Sequence, residues 1–189
     1  MIYPIVAYGD PVLRRQAEEI GLDYPGLETL VEDMFQTMEE ANGVGLAAPQ
    51  IGLSIRLIVV DATPFAEEDP KAAGFRKALI NPDIYEEDGE KWAFNEGCLS
   101  FPGVHEDVER HARIKIRYMD LKGELHDETH DGYVARVLQH ECDHLNGKVF
   151  VDRLNALRKT MLRRKLDNIA KGAVSHDYKM KFSVKPKHR

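Results

Sequence analysis

Apolar positions in this chain follow two rhythms. Leu27, Leu30, Val31, Met34, Phe35 and Met38 recur at intervals of three and four, the spacing of one helical face. The helix so predicted starts near Pro25 and stops at Asn42-Gly43, and its acidic opposite face leaves the Met and Phe stripe to the core. A second helix is expected from about Tyr133 to Leu145, halted by Asn146-Gly147. A third runs from Asn155 to Ala170, with Leu157, Met161, Leu162, Leu166 and Ile169 opposite a basic face. Between them the pattern shortens to that of strands: Ile55 to Asp61, Lys77 to Asn81, Ile84 to Glu87 and Lys91 to Phe94, the last two joined by a turn at Asp88-Gly89. Arg113 to Asp120 alternates and turns through Leu121-Lys122-Gly123 into Glu124 to Thr129. Gly43 to Gly52 fits neither rhythm, because its glycines and Pro49 oppose regular structure, and Thr63 to Gly74 reads as a polar connection with room to move. This order predicts an α+β domain in which antiparallel sheets pack around the Tyr133 to Leu145 helix, followed by a C-terminal helix.

Composition narrows the class. A chain of 189 residues, 43% of them hydrophobic, can bury one sizeable core. No cationic segment precedes an apolar run in Met1 to Asp10, and no stretch approaches the roughly 18 apolar residues of a membrane helix, so a soluble cytoplasmic protein is expected. Two cysteines, Cys98 and Cys142, do not suggest a disulfide scaffold. The net charge of -6 conceals a split: from Arg153 onward twelve Lys or Arg face only Asp167 and Asp177. That basic end suits an anionic partner. The expected division is a catalytic domain over 1–170 and a basic tail over 171–189.

The candidate chemistry lies in Gln139-His140-Glu141-Cys142-Asp143-His144. Residues four apart on a helix stack on one face, so His140 and His144 can share a divalent metal while Glu141 serves as general base toward a water. A hydrolytic metal site needs a third protein ligand and one open position. Cys98, Asp143, His105, His111, His126 and His130 are the candidates. Asp143 lies about 100° round the helix from His144, better placed to orient an imidazole. The four histidines sit in polar, solvated segments. Cys98 is a strong soft ligand in a loop after Gly97, its alternative being a small core residue. Cys142 faces away from both imidazoles and reads as core.

Three blocks, GVGLAAPQIG at Gly43 to Gly52, EGCLS at Glu96 to Ser100 and QHECDHLNG at Gln139 to Gly147, together resemble the signature of the peptide deformylases. The resemblance extends from near the start to at least Leu154. That family removes the formyl group from the N-terminal formyl-methionine of nascent bacterial or organellar proteins and releases formate. The resemblance implies Cys98, His140 and His144 as ligands of one divalent metal, commonly ferrous iron, with nickel, cobalt or zinc accepted. It implies Glu141 as general base and later acid, and the Gln50 amide with the Leu99 backbone N–H as donors to the oxyanion. It pairs Glu96 with an arginine, for which Arg110 is the match. Val137 and Tyr133, three and seven residues before His140, then line a pocket for the methionine side chain. Gly43, Val44 and Gly45 form the opposite rim, with the Gly45 backbone pairing to an extended peptide. A site so crowded excludes acetyl by overlap.

Phe101, His105 and Arg136 depart from the residues common in the family, which bears on sequence preference beyond methionine and leaves the chemistry intact. Two other readings compete: an HExxH metallopeptidase, which cleavage of internal peptide bonds would reveal, and a ribosome-binding relative without catalysis, against which the intact Gln50, Cys98 and Glu141 argue. The ribosome also enters as a partner through the basic end, since C-terminal elements of similar deformylases can dock on its phosphate-dense surface.

Overall fold

The run Leu57-Ile58-Val59-Val60 is apolar at every position because it is buried on both faces. Ile58 and Val60 pack with Val134, Leu138 and Leu145, whereas Leu57 and Val59 pack with Leu30, Met34 and Met38. The computed structural model, which describes residues 1–183, places this strand (β3, Leu57–Asp61) between two helices, α1 (Leu27–Glu40) and α2 (Gly132–Leu145). A five-stranded antiparallel sheet carries it, in the order β2 (Gly45–Ala47), β3, β4 (Arg76–Gly97), β5 (His105–Met119), β6 (Leu125–Asp131). Eleven of the fourteen residues of α2 are buried, so the HExxH helix is central, as its position in the sequence implies. The C-terminal helix α3 (Ala156–Ala170), capped by the Asn155 side chain on the Arg158 N–H, lays Leu162, Leu166 and Ile169 against Phe101, Val104 and Phe150.

The structure corrects several sequence expectations. The segments between Lys77 and Phe94 form one strand, not three, and no hairpin forms at Asp88-Gly89. The register slips at Ile80/Asp83, Ile84/Glu86 and Asp88/Lys91, and Gly89 takes φ 77° at the third slip. A bulge therefore absorbs the turn signal. β5 begins eight residues before the predicted Arg113, because its inward positions include Glu106 and Arg110, and buried charges erase the apolar alternation. Within Gly43 to Gly52, Gly45–Ala47 is a short edge strand and Ala48–Ile51 a single 3-10 turn. The Thr63 to Gly74 connection is held at both ends of its second half: Asp69 accepts the Tyr133 N–H at the start of α2, and the Ala62 N–H bonds Phe75. On α3, Leu157 and Met161 are 70% and 62% exposed, so the apolar stripe is narrower than its spacing suggests.

The chain does not end its packing at residue 170. Met180–Lys181 (β7) pairs in parallel with Ile5–Val6 (β1), so the expected tail folds back on the domain as far as Ser183. The rest of that tail, with Lys185, Lys187 and Arg189, lies outside the described residues. Among the described residues no helix is long and apolar enough to cross a membrane.

Candidate active site

Helix α2 turns His140 and His144 toward the loop between β4 and β5, with their ring centroids 5.2 Å apart. Cys98, first in that loop, puts its Sγ 3.3 Å from His144 Nε2. One donor atom from each of the three residues lies within 4.8 Å of the others. A thiol and two imidazoles converging in this way suit a divalent metal ion. Glu141 is buried beside them and lines the adjoining cavity, with Oε2 unpartnered among the described residues. Burial raises its carboxyl to about 7.

Buried charge holds this face of α2. Glu96 accepts from Arg110 at 2.6 and 2.9 Å, from Arg136 at 2.9 Å, and meets His140 Nδ1 at 2.9 Å. The contact to Nδ1 leaves Nε2 of His140 to face the cluster. Burial would raise the Glu96 carboxyl, but hydrogen bonds from His140 and Arg110 outweigh it and hold the group well below the carboxylate range. Arg110 also reaches Asp143 at 2.7 Å, and Arg153 binds both Asp143 oxygens at 2.7 Å. Asp143 therefore bonds arginines and orients no imidazole, a correction to the sequence reading. Burial alone would raise its pKa too; Arg153 and Arg110 lower it. Cys142 is buried, which raises its thiol pKa and keeps it neutral, in keeping with a core position. His111, His126 and His130 bond Gly89 O, Asp120 and Glu128 at a distance from the cluster, and His105 lines the adjoining cavity.

Gln50 is buried on the other side of Cys98. Its Oε1 accepts the Ala47 N–H at 2.9 Å, which fixes the amide so that Nε2 points to Cys98 Sγ (3.5 Å) and Ser100 Oγ (3.4 Å). The Leu99 N–H donates to no group among the described residues. Gly45 faces Glu141 so closely that a Cβ would collide with the carboxylate, the physical reason for a glycine there. A cavity of about 460 Å³ opens at this point, its walls including Gly43, Val44, Gly45, Leu99 and Val137. Tyr133 is not in the wall. Its ring stacks at 4.7 Å on Phe65, which is, and stands edge-on to Phe94, which also lines the cavity. The sequence reading missed Phe65 because it lies in a connection without periodicity. Arg136, the apparent intruder, is neutralised by Glu96 and lies 4.4 Å from the centroid of the Trp92 ring.

A loop thiol, two helical imidazoles and a buried glutamate, set under an antiparallel sheet, define a metal-dependent hydrolase of the HExxH kind. Comparison with known proteins makes the assignment specific. A model of the polypeptide deformylase family matches residues 2–160. A peptide deformylase of Christiangramia forsetii is 50% identical over 196 residues, covering all of both chains. One from Thermotoga petrophila is 44% identical over 90% of this chain and 98% of its own. Among solved structures, the Thermotoga maritima peptide deformylase superposes with a TM-score of 0.74 at 43% identity, over 82% of this chain and 99% of that one. Arabidopsis thaliana peptide deformylase 1B, in complex with an inhibitor, gives 0.79 at 35% identity over 90% and 91%. The chain belongs to the peptide deformylase family, metal-dependent hydrolases that remove the N-formyl group from nascent polypeptides.

Proposed function

We propose that Cys98, His140 and His144 hold one divalent ion, ferrous iron by preference with nickel, cobalt or zinc as substitutes, and that deformylation of N-terminal formyl-methionine takes place beside them. When bound, the ion supplies Lewis acidity at the formyl carbonyl and acidifies the attacking water. Glu141 takes the proton from that water and later gives it to the leaving amino nitrogen. A carboxyl near 7 suits both transfers. Gln50 Nε2 and the Leu99 N–H donate to the oxygen on which charge develops, in a pocket where burial strengthens both bonds.

The peptide is held by the free edge of β2, where the Gly45 backbone pairs with an extended chain. Val44 and Val137, with Phe65 and Phe94, offer the methionine side chain an apolar wall, and Tyr133 supports Phe65 from behind. Formyl is the smallest acyl group, and the close approach of Gly45 to Glu141, with Gln50 buried nearby, supports a crowded acyl site that excludes an added methyl. The observation that carries this reading is the convergence of three donor atoms within 4.8 Å beside the unpartnered Glu141 carboxylate.

The test is formate release from formyl-Met-Ala-Ser by protein purified without air, with metal analysis of the same sample. Turnover of that peptide and none of acetyl-Met-Ala-Ser is expected; comparable turnover of both would refute the acyl pocket. The exposed Arg163, Arg164 and Lys165 of α3 support docking on the phosphate-rich ribosome surface. Reversing the three to Glu is expected to reduce co-sedimentation with ribosomes at low salt and to spare turnover of a short formyl peptide; unchanged co-sedimentation would remove that partner.

A further inference from the structure

The loop that carries Cys98 and Leu99 is tied down by three successive carbonyls, each bonded to a different part of the chain. Cys98 O accepts the Phe101 N–H at 2.8 Å, within the loop itself. Ser100 O accepts the Tyr8 N–H at 2.9 Å, from the N-terminal arm. Leu99 O, between them, accepts the Tyr178 hydroxyl at 2.7 Å, from the segment after α3. These two outside partners are themselves joined. Tyr8 follows β1 and Tyr178 precedes β7, and the two strands pair through Ile5 N–H to Lys179 O at 2.8 Å and Ala7 N–H to Lys181 O at 2.9 Å. The N-terminal and C-terminal segments thus form one clamp, closed on the loop from outside.

The clamp also belongs to the substrate cavity. Ser175, His176, Asp177 and Tyr178 all line it. Tyr178 is half-buried and packs with Leu99 against the apolar cluster of Met34, Met38 and Leu46, so its ring is fixed independently of its hydroxyl. The Leu99 N–H lies in the peptide plane of the Cys98 carbonyl, which Phe101 holds, and the next plane, that of the Leu99 carbonyl, is held by Tyr178, so both planes that meet at the Leu99 Cα are restrained. The Leu99 N–H itself has no acceptor among the described residues, and Leu99 lines the cavity.

We propose that Tyr178 is a positioning residue for deformylation: by holding the peptide plane that follows Leu99 it steadies the Leu99 Cα, and with it the Leu99 N–H that donates to the oxygen that becomes negative in the transition state. The inference rests on Leu99 as an oxyanion donor. It makes the segment after α3 part of the active site rather than an appendage. A donor that is loosened rather than removed loses part of the roughly 10²- to 10³-fold that one oxyanion contact supplies. The loss falls on kcat, since the interaction exists only in the transition state.

Tyr178→Phe keeps the ring and removes only the hydroxyl, so the test uses that variant of the full, metal-loaded chain, with Gln50→Ala alongside. For Tyr178→Phe we expect kcat on formyl-Met-Ala-Ser to fall about tenfold with KM within about twofold. Amide exchange across residues 98–101 should quicken, and the melting temperature should change by only a few degrees. Unchanged kcat in Tyr178→Phe, whatever happens to melting, overturns the positioning role. If Gln50→Ala still loses about 100-fold in that case, the oxyanion site stands without Tyr178. If neither variant loses activity, the oxyanion site fails and the role of Tyr178 with it.

Discussion

The two sides of the active site are held by different physics. On the helix side, His140, Glu141 and His144 stand on α2 behind an unbroken line of paired charge, Arg136–Glu96–Arg110–Asp143–Arg153, buried at every member but Arg153. On the loop side, the carbonyls of Cys98, Leu99 and Ser100 are held by neutral hydrogen bonds from the Phe101 amide, the Tyr178 hydroxyl and the Tyr8 amide. Buried ion pairs are costly to break singly, because the partner left behind is a desolvated charge. Neutral bonds to carbonyls are each worth only about 0.5–1.5 kcal/mol. The helix side thus resists any single change around His140 and His144, whereas the loop side rests on bonds that one substitution removes at small cost.

That contrast can be broken from the ligands outward. Cys98→Ala and His144→Ala take one ligand from each side; both are expected to lose bound metal and bring formate release to background, and metal retained at full occupancy in either would exclude that residue from the ligand set. Gln50→Ala, on the loop side, should keep metal and lose about 100-fold in kcat.

Arg110→Met tests the helix side through stability. Glu96 and Asp143 each lose a partner at buried positions, a cost of about 3–5 kcal/mol, or a melting temperature lower by roughly 6–20 °C. The same variant should respond less to acid. In the folded protein both carboxyls titrate below their unfolded values, so they stabilise the fold at neutral pH, and that contribution is lost as pH falls below about 4 toward the folded pKa values. An acid-unfolding slope in Arg110→Met equal to that of the native chain would show that the arginine does not depress them. The smallest effect is expected outside both regions: Asn155→Ala removes the cap of α3, which should cost about 1 kcal/mol and leave kcat unchanged.

The parts of the site that lie on regular elements are legible in the sequence. Period 3.6 places His140, His144 and Val137 on one face of α2, and the structure brings the two histidines to Cys98 across a long gap in sequence, with Val137 in the wall of the adjoining cavity. What escapes is whatever depends on charge turned inward or on segments without a period. Glu106 and Arg110 hide the first half of β5, and Asp143 points to arginines that no local rule connects to it. Phe65 and Tyr178 reach the cavity from a loop and from a segment expected to be a tail, where neither hydrophobic rhythm nor spacing announces a contact. For Tyr133 helical phase gives the direction, and its ring packs on Phe65 and Phe94, which line the cavity.

The central claim is a division of labour: Cys98, His140 and His144 hold the ion, and Glu141 moves the proton. Its most direct test is Glu141→Ala purified without air, with metal content and formate release measured on one sample. Metal at the native level with kcat lowered about 1000-fold is the predicted result. Native-like turnover, or loss of the metal together with the activity, would contradict it.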